Sequence, residues 1–169
     1  MTGSAKSGPA PVLVLGLGNL LLGDDGVGLR LLETLAGDFH YGAAVDFVDG
    51  GTQGLALLGY LSGREAVLVL DAVALGSPPG TVHVIRGLED FRARKAATAH
   101  ESSVMELFEA AKILGNSWKQ ILLIGIEPKN LRTGMEFSPE VEAALPKAYD
   151  EAASHLRDMV ESYVFSNTR

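Results

Sequence analysis

A chain of 169 residues with 47% hydrophobic content and 20 glycines is long enough for one domain with a substantial core. Its formal charge of −7 argues against nucleic-acid binding, which needs a basic face to displace phosphate counterions. The lack of cysteine excludes disulfides, thiolate metal sites and a cysteine nucleophile, and it fits a reducing cytoplasm.

In chain order, residues 1–10 are small and polar and are expected to be a disordered leader, with a single domain over residues 11–165. Residues 12–15 form a short, uninterrupted aliphatic run, which predicts a strand buried on both faces of a parallel sheet. The run is too short to span a bilayer and soon meets Asp24 and Asp25, so neither a signal peptide nor membrane insertion is expected. Glycines punctuate the turn that follows. After Gly26, Val27, Leu31 and Leu35 recur at helical spacing, with Gly37 as the expected helix stop. Residues 45–48 predict a second strand ending in Asp49-Gly50-Gly51-Thr52. Thr52 is expected to cap a short helix carrying Leu55, Leu58 and Leu61. Residues 66–70 predict a third buried strand ending at Asp71. Residues 81–86 alternate like an edge strand, with antiparallel pairing left open. Residues 92–95 read as a solvated basic loop. Val104, Leu107, Phe108, Ala111 and Leu114 stripe a helix that follows His100 and stops at Gly115. Residues 121–124 predict the last buried strand, leading into Gly125-Ile126-Glu127-Pro128. Ser138, Pro139 and Glu140 predict a helix start. Pro146 is expected to interrupt it, so that the main C-terminal helix begins there and faces the sheet with Leu145, Ala148, Tyr149, Ala152, Leu156 and Met159. The pattern predicts an α/β fold: a single-domain three-layer sandwich whose twisted, mostly parallel sheet of about five strands is flanked by helices.

Strand-to-helix loops of a parallel sheet open on one edge, so Asp25 after the first strand and Asp71 at the end of the third share that edge. His100, just before a helix, is expected there too, and a helix N-terminus keeps its imidazole neutral and available as a ligand. Two carboxylates and an imidazole with open positions suit zinc, nickel or manganese. Plainer uses stand beside this one. Asp24 and Asp25 would also serve as caps of the first helix, worth about 0.3–1 kcal/mol each. Asp71 would serve as a turn residue, and His40, His83 and His155 read as surface or core residues. Gly16-Leu17-Gly18 after a strand also suggests a dinucleotide fingerprint, with Asp49 as the ribose-binding acid. Leu21, however, holds the place of the third glycine, and Asp24 and Asp25 would repel a pyrophosphate.

Gly16-x-Gly18-Asn19 followed by Asp24-Asp25-Gly26-x-Gly28, then Asp49-Gly50-Gly51-Thr52, Leu70-Asp71-Ala72, His100 before a helix and Gly125-Ile126-Glu127-Pro128 resemble the maturation endopeptidases of nickel–iron hydrogenases. The resemblance runs from about Val12 to about Met159, and the stretch from Gly51 to Leu55 looks most like the branch serving membrane-bound uptake hydrogenases. It implies an endopeptidase that removes a C-terminal extension from the hydrogenase large-subunit precursor once nickel is in place. It implies that Asp25, Asp71 and His100 are the metal-contacting and catalytic residues, the nickel being supplied by the precursor. Another divalent ion would be able to occupy the site in isolation. Asp49, Gly50, Gly51, Thr52 and Glu127 would take part in substrate recognition, although Glu127 stands where many relatives have Gln. A metallopeptidase or amidohydrolase holding its own zinc, and a non-catalytic chaperone that inspects nickel loading, remain the alternatives on sequence grounds.

Overall fold

The polypeptide alternates strands with helices, and the order of those strands decides where its functional loops meet. In the computed structural model, residues 8–95 and 103–166 are described. Five strands form one sheet: β1 (Val12–Leu17), β2 (Val45–Gly51), β3 (Ala66–Ala72), β4 (Val82–Arg86) and β5 (Gln120–Ile126), in the order β2-β1-β3-β5-β4. The first four in that order run parallel, and β4 closes the sheet antiparallel to β5. The predicted edge strand is therefore antiparallel, and the α/β sandwich expected from the pattern is present.

Each central strand feeds two cores because its side chains alternate across the sheet. Val12 and Val14 pack with α1 (Val27–Asp38) and α5 (Pro139–Ser166) on one face, among Leu31, Leu35, Ala148, Ala152 and Leu156. Leu13 and Leu15 pack on the other face with Leu57 and Leu61, the second of which ends α2 (Leu58–Leu61). They are joined there by Phe91 of α3 (Gly87–Lys95) and by Leu107 and Phe108 of α4 (Ser103–Ile113).

Several local expectations give way. The basic run at Arg92 belongs to a helix, α3, because Leu88 and Phe91 anchor one face in the core. On the opposite face Arg92 pairs with Glu89 and Glu109, and Arg94 with Asp90. Leu114 does not join the α4 stripe: the helix ends at Ile113 and Leu114 is exposed. Gly37 does not stop α1, which runs on to Asp38 and ends where Phe39 turns extended and stacks on Tyr41. Thr52 caps nothing. The short helical stretch starts as a 3₁₀ turn at Gly54–Leu57, entered through Gly51 and Gly54 at φ +47° and +54°, and it turns Leu57 rather than Leu55 inward.

Pro146 does not divide the last helix either. α5 is continuous from Pro139 to Ser166 with Pro146 inside it. Proline removes one N–H from the ladder and frees the carbonyl four residues back, which is Glu142. Both residues lie on the exposed face, so the freed carbonyl is on the solvent side while Val141, Ala144 and Ala148 stay buried. Pro139 is the first helical residue, as expected. Of the predicted leader, residues 1–7 lie outside the described residues. Ala10 is buried, with its N–H bonded to Asp46 and its carbonyl to Arg64.

Candidate functional site

Glycine spacing after β1 is set by how closely the chain passes itself. A Cβ on Gly28 would lie 2.3 Å from the Leu70 carbonyl oxygen and 2.4 Å from that of Leu17, so α1 begins directly against the ends of β1 and β3. Gly18, at φ +121°, would bring a Cβ to 1.8 Å from the Asp25 carbonyl oxygen. Only glycine admits this fold-back, which delivers Asp24 and Asp25 in a 3₁₀ turn, Gly23–Gly26, packed against β3.

The two aspartates then part company. Asp25 is half-buried, and its Oδ2 accepts the Asn19 N–H at 2.8 Å. Asp24 is fully buried and reaches across to the segment between β5 and α5. Its Oδ2 accepts the Lys129 and Asn130 N–H groups at 2.8 Å each and the Ser138 hydroxyl at 2.9 Å, while Oδ1 accepts the Ser138 N–H at 2.7 Å. Burial pushes this carboxyl up, but the bonds from Ser138, Asn130 and Lys129 outweigh it and hold Asp24 below its ordinary range. Neither aspartate caps α1, whose N-cap position is Gly26 with no side-chain bond. The Ser138 hydroxyl serves Asp24 rather than the helix it precedes.

Asp71 is the penultimate residue of β3, half-buried, in register with Gly125, and its Oδ1 accepts the Ala72 N–H at 2.8 Å. Asp25 and Asp71 therefore follow or end neighbouring strands on the same carboxyl edge. His100 lies outside the described residues. Among the described residues no three His, Cys, Asp or Glu side chains form a group able to hold a metal ion. Asp49 aligns with Gly16 at the end of β2, exposed, its Oδ1 accepting the Gly51 N–H at 2.9 Å. Gly50 is buried and Thr52 exposed beside it. A Cβ on Gly50 would lie 2.8–3.0 Å from the terminal methyls of Leu17, Leu15 and Leu57, so a larger residue would force those side chains to repack.

Glu127 is 5% exposed. Its carboxylate accepts N–H groups of Leu75 (2.9 Å) and Gly76 (3.0 Å) and lies 2.9 Å from His83 Nε2, fixing the loop between β3 and β4. Sequence reasoning missed this pair and the Asp24 bonds. The His83 pairing had a signal: β4 pairs His83 with Gly125, which sets His83 and Glu127 on one face of the sheet. The Asp24 bonds had none, since their partners lie more than a hundred positions away.

An open α/β sheet built as a single domain, with acidic residues at its carboxyl edge, is the architecture that the comparisons with solved proteins match. The solved hydrogenase maturating endopeptidase HybD from Escherichia coli superposes with a TM-score of 0.78 at 30% identity, covering 87% of this chain and 92% of that one. A maturation protease HybD from Thermococcus kodakarensis superposes at 0.68 and 30% identity over 85% and 97%. The family model for hydrogenase maturation proteases matches residues 29–155. Among relatives, the hydrogenase expression/formation protein HupD of Rhodobacter capsulatus is 37% identical over 152 residues, 88% of this chain and 72% of that protein. The hydrogenase 2 maturation protease of Escherichia coli is 31% identical over 150 residues, 87% and 91%. The chain belongs to the hydrogenase maturation protease family and is a peptidase.

Proposed function

We propose that this peptidase removes the C-terminal extension of a nickel–iron hydrogenase large-subunit precursor after nickel insertion, and that Asp25, Asp71 and His100 recognise the precursor's nickel. The observation that carries this reading is the placement of Asp25 and Asp71 on one sheet edge, at neighbouring strands, in a chain of this family. Carboxylates and an imidazole are suitable donors for a divalent ion of intermediate softness. The nickel belongs to the substrate; held beside the scissile bond it would either polarise that carbonyl or activate a water, or serve solely as the docking signal. Cleavage adds water across one peptide bond, its oxygen to the carbonyl carbon and a proton to the leaving amine. Asp49, Gly50, Gly51 and Thr52 form the recognition turn beside the site, and Glu127 contributes through the loop it fixes. The Gly51–Leu55 stretch looks most like the branch serving membrane-bound uptake hydrogenases, and the proposed place of action is the cytoplasm. Among the described residues no helix is long and apolar enough to cross a membrane.

Incubation with nickel-loaded and nickel-free precursor, followed by intact-mass measurement, tests the reading. Only the loaded precursor should shorten, and equal cleavage of both would overturn nickel recognition. His100→Ala should remain folded and fail to process the loaded precursor, whereas full processing would remove His100 from the site. Asp49→Ala should lower the cleavage rate with little change in Tm. A normal rate with a large Tm loss would instead leave Asp49 as the turn residue its bond to Gly51 makes it.

A further inference from the structure

Exposed apolar side chains gather at one place on the carboxyl edge. Leu20 and Leu21 are 45% and 59% exposed in the turn after β1, and Leu131 and Met135 are 50% and 73% exposed in the segment between β5 and α5. Backbone bonds make these two segments one surface. Gly134 N–H donates to the Leu21 carbonyl at 2.9 Å, Gly23 N–H to the Gly134 carbonyl at 2.7 Å, and Asp24 N–H to the Asn130 carbonyl at 2.9 Å. The buried Asp24 carboxylate ties the same segment from beneath. Four large apolar side chains are thus held out to solvent on two segments tied together through Leu21, Gly23, Asp24, Asn130 and Gly134, an arrangement that signals a contact surface rather than a loose loop. The surface is also continuous with the site. Asn19 N–H donates to the Asp25 carboxylate, and Asp25 N–H donates to the Leu22 carbonyl at 3.2 Å.

Resting on the function proposed above, we infer that Leu20, Leu21, Leu131 and Met135 are the docking surface for an apolar stretch of the precursor polypeptide next to the bond that is cut. The occupant follows from that continuity. A peptidase must hold its polypeptide beside the scissile bond, and this surface begins one hydrogen bond from Asp25. Burying apolar area supplies affinity that the carboxylates, aimed at a metal, do not supply to the flanking chain.

Processing of the nickel-loaded precursor should be compared for the wild type, the double variant Leu21→Ser/Met135→Ser, and Ile113→Ser. Ile113 is 86% exposed at the end of α4, which leads into the start of β5 and so lies toward the opposite edge. The double variant should lose about tenfold in kcat/KM, carried by KM, with Tm unchanged, while Ile113→Ser processes like the wild type. A double variant with wild-type kcat/KM overturns the docking surface. So does a wild type that dimerises in sedimentation while the double variant stays monomeric, because the occupant is then a second copy. A wild type that leaves the loaded precursor uncut overturns the functional reading itself, a result distinct from either.

Discussion

Asp24 and Glu127 flank the third strand, one following β1 and the other β5, and each fixes a loop of the same edge with different partners. Asp24 is held by three backbone N–H groups and a hydroxyl, none of which titrates in the usual range. Glu127 is held by two backbone N–H groups and an imidazole. Both are buried, while Asp25 and Asp49 keep contact with solvent. The difference sorts the acids of this edge. Those whose lone pairs are taken by neighbouring loops build the walls, and those in contact with solvent are the ones proposed for the site.

Asp24→Ala should have the largest effect, because it removes a fully buried carboxylate that accepts four bonds from Lys129, Asn130 and Ser138. A loss of about 3 kcal/mol in denaturant unfolding is expected. A loss below about 1 kcal/mol would show that water replaces the carboxylate and that the wall does not depend on it. Glu127→Ala leaves fewer donors unmatched and should cost about 2 kcal/mol. Glu127→Gln preserves shape and one acceptor oxygen toward Leu75 and Gly76, and about 1 kcal/mol is expected. If it matches the alanine variant, the pairing with His83 rather than the loop bonds is what Glu127 provides.

The finest test is titration. The folded-state carboxyl of Asp24 lies below its ordinary value of 3.8, so its stabilisation is complete above that value and is lost as pH falls through the depressed one. The stability difference between wild type and Asp24→Asn should be constant between about pH 5 and 8 and should narrow below about pH 4. A difference that already shrinks near neutrality would assign the effect to another group.

The buried strands and their shared edge were legible because aliphatic runs bounded by glycine and aspartate report both burial and strand ends. The positions of Asp25, Asp49 and Asp71 followed from that topology alone. What local pattern failed to convey was set by tertiary contact. Arg92 sits on a helix because Leu88 and Phe91 are gripped by the core, and Pro146 sits inside one because its freed carbonyl faces water. Asp24 read as a possible helix cap because the sequence around it contains no trace of Ser138. His100 lies outside the described residues, so the third member of the proposed trio rests on the motif.

The Asp24 bonds also impose an order of manufacture. Asp24 emerges early in translation, whereas Lys129 and Ser138 follow 105 and 114 positions later. A nascent chain stopped just short of Ser138 already contains all five strands and both Asp25 and Asp71, yet it lacks Ser138 and the helix that holds Ser138 in place. The wall beside Asp25 closes only after Ser138 has been added behind all five strands.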